Sequence, residues 1–253
     1  MKQDRPKLIT FGASLFCEKA RWALDWHGID YQEVGWPPGL HQILAKRCGA
    51  KGTTLPILLD NETTIQGSGA IIDWADQRAQ GRGRELTVSG ALNIEERADD
   101  SIGVHLRRLF YAEVLPKNSD LAKPGLFWNV SRTHRLIGDM MWPVTHRVMM
   151  KMYDITPEAA SGSRATLEAE LDWLDSKLAD DRSYLVGDRF SRADLTVSSL
   201  LATIACPEEL PALRDGTFPE SLIPDVRRWQ QRPIMRWVKE QYEAHRAPVR
   251  LVA

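Results

Sequence analysis

Cysteine is scarce. The 253 residues hold three, Cys17, Cys48 and Cys206, far apart in the chain. An odd and widely spaced set offers no disulfide framework, and without a CxxC or a Cys/His pair at ligand spacing it offers no zinc site. The six histidines, His27, His41, His105, His134, His146 and His245, show no ligand spacing with carboxylates or cysteines, so no metal is expected. A G-x-G-x-x-G run and a P-loop are both missing, which leaves nucleotide cofactors without support. Neither sign of charge is in excess: 33 Lys and Arg stand against 34 Asp and Glu. No global basic field exists to attract nucleic acid. No apolar run is long enough to cross a bilayer. The polar start Met1-Lys2-Gln3-Asp4-Arg5-Pro6 leads into an apolar stretch too short for a signal-peptide core, so the expected compartment is the cytoplasm, with no membrane partner.

What remains is ordinary globular composition, 43% apolar and 26% charged. Lys7-Leu8-Ile9-Thr10-Phe11 is β-prone and is broken by Gly12-Ala13-Ser14. From Leu15 to His27 apolar residues recur at helical spacing, and Gly28 is a natural C′ residue. Ile29 to Val34 alternates as a strand, Pro37-Pro38-Gly39 marks a loop, and a short helix is expected over 40–46. Leu55-Pro56-Ile57-Leu58-Leu59-Asp60 and Thr63-Thr64-Ile65-Gln66 predict a hairpin. Ser68 is a possible N-cap for a helix with the apolar stripe Ala70, Ile71, Trp74 and Ala75. The order β-α-β-α-β-β-α implies a small mixed sheet covered by helices. Gln80-Gly81-Arg82-Gly83-Arg84 is a linker candidate.

Beyond residue 88 the pattern is helical over 90–115, 131–153, 157–180, 191–204, 221–230 and 232–244. Prolines 116, 124, 143, 157, 207, 211, 224 and 233 punctuate it. Pro143 predicts a kink or break, and Thr156-Pro157 predicts a capped helix start. Ser191-Arg192-Ala193-Asp194 has capping-box spacing before the apolar run Leu195–Leu201, which reads as a buried central helix.

Three segments together resemble the cytosolic glutathione S-transferase family. Ser14-Leu15-Phe16-Cys17-Glu18-Lys19-Ala20-Arg21-Trp22-Ala23-Leu24 followed by Gly28-Ile29-Asp30-Tyr31 is similar to its active-site loop and helix. Leu55-Pro56-Ile57-Leu58 with Ser68-Gly69-Ala70-Ile71 is similar to its cis-proline strand and Ser-x-Ala-Ile site. Tyr184-Leu185-Val186-Gly187-Asp188 with Ser191–Asp194 is similar to the cap of its core helix. The resemblance spans nearly the whole chain. It implies an α/β plus all-α fold: a thioredoxin-like domain over 1–80 and an all-helical bundle domain over 88–253. It also implies a homodimer, and reduced glutathione as co-substrate in detoxification-type chemistry.

By the same resemblance Ser14 is the catalytic hydroxyl that holds the glutathione sulfur as thiolate at a helix N-terminus. Leu55, Pro56, Gln66, Gly67 and Ser68 bind the tripeptide, with Pro56 after a cis bond. Gly67 stands where the family usually carries Glu, Asp or Gln, and Thr54 where many relatives carry Lys or Gln. His41, Lys46 and Lys51 are candidates for the cation that meets the glycine carboxylate. An apolar second-substrate wall is expected from Phe110, Tyr111, Met141 and Trp142, with Trp36, His105 and Met140 as further candidates. Two other readings stand beside conjugation. One is glutathione-dependent reduction or lyase chemistry, which Cys17 would serve. The other is a non-catalytic binding protein on the same fold, which Gly67 and Thr54 favour.

Overall fold

A computed structural model describes residues 5–210 and 218–246; Met1 to Asp4 and Pro211 lie outside them. The chain divides into two compact units, one of residues 1–84 with 115–153 and one of residues 85–114 with 154–253.

The first unit is built on four short strands, β1 (Lys7–Thr10), β2 (Gln32–Gly35), β3 (Ile57–Asp60) and β4 (Thr63–Gln66), in the order β2-β1-β3-β4. β1 and β2 are parallel, joined through α1 (Leu15–Trp26); β3 and β4 form an antiparallel hairpin turned at Asn61, whose φ is 53°. This is the mixed sheet that the order of elements implied, in the thioredoxin-like arrangement that the resemblance implied. Strand alternation sorts the core onto two faces. Leu8 opposite Leu58 packs with Ala20 and Leu24 of α1 and with Ile71 and Ala75 of α3 (Ser68–Arg78). Ile9 opposite Ile57 packs on the other face with Trp36 and with Ala45 of α2 (Leu40–Arg47). Gly28, at φ 65°, ends α1 as expected.

Residues 115–153 return to this unit. The short α6 (Lys123–Leu126) precedes α7 (Arg132–Met152), and between them Val130 bridges Gly35 as a parallel addition to the β2 edge. α7 runs unbroken through Pro143, so the expected break does not occur. The carbonyl that the proline leaves without a donor belongs to exposed Asp139, where water can satisfy it. Gly138 lets α7 approach closely, because a Cβ there would stand 2.6 Å from Pro37 and 2.7 Å from Phe127. The linker stretch is tied down too: Trp26 Nε1 donates to the Arg84 carbonyl at 2.8 Å, and the Arg84 guanidinium lies over the Trp26 ring.

The second unit is helical. α4 (Ala91–Ala98) continues through one wide π-turn (Asp99–Gly103) into α5 (Val104–Asn118), which carries the chain towards residue 119. α8 (Pro157–Lys177), α9 (Arg192–Ala205), α10 (Ile223–Gln230) and α11 (Pro233–His245) follow. Thr156 caps α8 with proline at N1. α9 is the buried core helix and packs against α4 and α11. Its capping box is present as spaced in the sequence: Asp194 accepts from the Ser191 amide at 2.8 Å and from the Leu185 amide at 2.7 Å. Arg192 locks the entry, donating its amide to the Leu86 carbonyl and pairing its guanidinium with buried Glu95.

Candidate active site

Ser14 is the N-cap of α1. Its backbone is still extended just before the helix begins, and its hydroxyl accepts the Cys17 amide at 3.4 Å. Accepting that bond leaves the hydroxyl proton available to a partner at the positive end of the helix. The loop leading to Ser14 is fixed from two sides. From beneath, buried Arg21 donates to the carbonyls of Phe11 and Gly12 at 3.4 and 3.3 Å while its Nε holds Glu33 at 2.9 Å. Thr10 also donates to Glu33, at 2.6 Å. Burial works against the Arg21 charge, but the Glu33 carboxylate outweighs it and holds the guanidinium protonated. From the other side the Ala13 amide donates to the Gly125 carbonyl at 3.0 Å. Three glycines permit this approach. A Cβ at Gly12 would meet Trp128 at 2.4 Å, one at Gly125 would meet Ala13 at 2.6 Å, and one at Gly35 would meet the Trp128 carbonyl at 2.3 Å.

The Leu55–Pro56 bond is cis. Pro56 accepts the Gly67 amide at 3.0 Å, so the start of β3 and the start of α3 lie side by side. Ser68 is the first residue of α3 and is buried; the cap is Gly67, which the sequence reading had placed one residue later. Gly67 holds φ 95° and ψ 146°, a conformation that only glycine adopts at low cost. Nothing lies within 4 Å of the position a Cβ would take there. Gln66 is occupied: its carbonyl accepts the Gly52 amide at 2.8 Å and its amide donates to the Thr54 carbonyl at 2.9 Å. It braces the loop before Leu55.

His41 sits at the start of α2, edge-on to the Phe11 ring, and burial lowers its pKa to about 4. Held neutral, the imidazole is a hydrogen-bonding group rather than a standing cation. Lys46 and Lys51 are exposed. Cys17 has no exposed surface, and burial pushes its thiol up although Arg21 pulls the other way. Such a thiol is a poor nucleophile. The four residues expected to wall a second substrate divide between the units. Phe110 and Tyr111 belong to the second, where Phe110 packs on Phe218 at 5.7 Å. Met141 and Trp142 belong to the first. There the Met141 methyl approaches Gly39, while Trp142 is 3% exposed, edge-on to Phe127, and donates to Ser119. Trp36 is likewise a core side chain, and His105 is held by Ser163 at 3.0 Å. Among the described residues no group of three or more His, Cys, Asp or Glu could hold a metal ion, and no helix is long and apolar enough to cross a membrane.

Sequence reasoning missed Glu33, Gly125 and Trp128. Their link to the Ser14 loop depends on tertiary contacts; the only local trace is a glycine at each close approach.

The family profile described as glutathione S-transferase, N-terminal domain, matches residues 8–83, and that for the C-terminal domain matches residues 139–236. A search of curated sequences finds no match. Among solved structures, the chain is similar to a glutathione S-transferase of Ceriporiopsis subvermispora in complex with glutathione, at 15% identity and TM-score 0.66, covering 96% of this chain and 98% of that one. It is similar to glutathione transferase GSTFuA3 of Phanerochaete chrysosporium at 17% identity and TM-score 0.62, covering 97% and 99%. It is also similar to the beta-etherase LigF of a Sphingobium strain at 16% identity and TM-score 0.58, covering 95% and 100%. With both domain profiles matched in order and the thioredoxin-like and helical units in place, the chain belongs to the glutathione S-transferase family.

Proposed function

We propose that this chain binds reduced glutathione in its thioredoxin-like unit and holds the sulfur as a thiolate for attack on a largely apolar electrophilic small molecule. The observation that carries the reading is Ser14 at the N-cap of α1, with its hydroxyl accepting from the helix and its proton available to a sulfur. The first-turn amides of α1 add positive partial charge at the same point. Leu55 before the cis bond offers backbone to the cysteinyl unit, and the amides at the start of α3, beside Ser68, meet the γ-glutamyl carboxylate. Some of the similar structures are described as complexes with glutathione or its sulfonate. The assembly is a homodimer, as the family resemblance implies.

The test is Ser14→Ala assayed by glutathione conjugation. The variant loses about 10²-fold in kcat/KM, the scale of one lost donor to a developing or held anion. It retains glutathione binding by calorimetry. An unchanged rate overturns the assignment.

A second reading is favoured by specific observations. Gly67 has no side chain for the γ-glutamyl amine, Gln66 is tied to the 52–54 loop, and His41 is neutral. These support a non-catalytic binding protein on the same fold. Absence of glutathione binding up to about 10 mM, weaker than about −3 kcal/mol, selects it. Reduction through Cys17 has the least support, because that thiol is buried and its pKa is raised.

A further inference from the structure

α7 turns an apolar ridge outward. Leu136, Met140, Val144, Val148 and Met152 follow one another at four-residue spacing, and each is at least half exposed, up to 77% at Met140. On a helix such a row runs along one side, here over about 24 Å. The helix cannot roll to hide it, because its other side buries Gly138, Trp142, Thr145 and Met149. Single apolar residues on a surface are ordinary. A row of them along one helix, with part-exposed Ile137 beside it, is a contiguous patch of the kind that marks an interaction site.

Charge indicates what covers the patch. Residues 119–153 hold five Lys and Arg against two acids, in a chain whose total is −1. Both acids, Asp120 and Asp139, are taken by Lys123, at 3.2 and 3.3 Å. The other four cations, Arg132, Arg135, Arg147 and Lys151, are exposed on α7 and pair with no carboxylate among the described residues. Arg132 stands one turn before Leu136, Arg147 one turn after Val144 and Lys151 one turn after Val148, so cations and ridge share one side of the helix. A second copy fits this face poorly. Two-fold pairing of the ridge about Val144 would bring Arg147 against Arg147 and gather the cations of both copies with no acid between them. A ridge on a single helix is also convex, whereas a protein partner anchors its side chains in pockets. A lipid surface needs no pocket. It yields around an apolar ridge while long cationic side chains reach its headgroups.

We propose that α7 is a peripheral docking face for an anionic lipid bilayer. The ridge from Leu136 to Met152 enters the headgroup boundary, and Arg132, Arg135, Arg147 and Lys151 meet the lipid phosphates and carboxylates. The expectation of no membrane partner rests on the lack of a spanning run, and a helix lying in the interface needs none. The proposal is independent of the glutathione reading, because none of these residues is assigned to the tripeptide.

The test is cosedimentation of the full chain with vesicles of phosphatidylcholine alone and of phosphatidylcholine with about one third phosphatidylserine. Binding to the anionic vesicles is at least about tenfold tighter and falls as salt is added. Arg147→Gln with Lys151→Gln weakens it at least about tenfold, since each cation near such a surface is worth about fivefold. Leu136→Gln with Val144→Gln keeps the charge and also weakens it at least about tenfold. Circular dichroism and the glutathione titration of both double variants stay as in the parent, which separates loss of this face from loss of fold or of the glutathione site. No binding to the anionic vesicles, equal binding to the two kinds, or an unaltered affinity in either double variant overturns the proposal. So does light scattering that shows Leu136→Gln with Val144→Gln splitting a dimer into monomers, because a second copy then covers the ridge.

Discussion

Arg21 and Glu33 form an ion pair with less than a tenth of either side chain exposed, and the guanidinium also reaches the two carbonyls that lead to Ser14. The pair thus joins α1, β2 and the Ser14 loop in one polar contact. Breaking a buried pair from one side leaves a stranded charge, which costs about 3–5 kcal/mol. Arg21→Met strands the Glu33 charge and removes the Arg21 pair to Glu18. Urea unfolding should show that loss, and Arg21→Met with Glu33→Met should recover part of it. An additive double variant would mean the two residues act separately.

Gly125 and Gly12 test the other clamp on the same loop. Gly125→Ala places a methyl 2.6 Å from the Ala13 methyl and must push the 123–130 segment away or move the loop. Overpacking of this kind costs about 1–3 kcal/mol. We expect Gly125→Ala and Gly12→Ala to lower the melting temperature and, with it, the Ser14-dependent rate. Gly162→Ala serves as control, since nothing lies within 4 Å of its Cβ position.

His41 and Asp194 make opposite contributions to stability in acid. Burial lowers the His41 pKa from 6.5 to about 4. Between those values the unfolded chain takes a proton that the folded chain refuses, so stability falls as pH drops, by up to about 3 kcal/mol. Burial raises the Asp194 pKa from 3.8 to about 6, although Ser191 and Leu185 donate to it. The folded chain then holds the proton to higher pH. That contribution is complete below 3.8 and is lost as pH rises through about 6, on a similar scale. In the parent the two slopes oppose each other between pH 4 and 6. His41→Phe exposes the falling one and Asp194→Asn the rising one, measured as urea midpoints at each pH.

The capping box gives a simpler expectation. Asp194→Ala removes the acceptor for two buried amides at once, those of Ser191 and Leu185. Each stranded donor costs about 1–3 kcal/mol. Ser191→Ala should cost less, about 1 kcal/mol, because Asp194 still receives both amides. The order of the two unfolding midpoints checks this.

Local signals account for most of what the sequence disclosed. The Gly28 stop, the Thr156-Pro157 start and the Ser191–Asp194 box each act within a few residues, and all three stand where the spacing put them. Of the kink or break read at Pro143, the break does not occur; its cost depends on what surrounds the orphaned carbonyl, which spacing does not reveal. At the site, Ser14 was legible as a cap because the glycine-broken strand and the helical stripe meet there. His41 looked like a surface cation; only the packed fold shows Phe11 against its ring. The return of residues 123–130 onto the Ser14 loop was invisible. Its contacts span more than a hundred residues, and the Ala13–Gly125 hydrogen bond among them runs between backbone atoms, which carry no side-chain signature.

The sheet order leaves β2 at one margin, where bare N–H and C=O groups would template pairing with a foreign strand. Asn129 and Val130 occupy that margin: the Gly35 amide donates to the Asn129 carbonyl, and the Asn129 side chain donates to the Glu33 carbonyl. The segment that braces the serine loop therefore also blunts the sheet against edge-to-edge aggregation. Asn129 holds φ 54°, the turn from which Val130 enters its single bridge. A chain cut before residue 119 would keep all four strands yet lose this guard, and its failure in the test tube would be precipitation rather than a missing core.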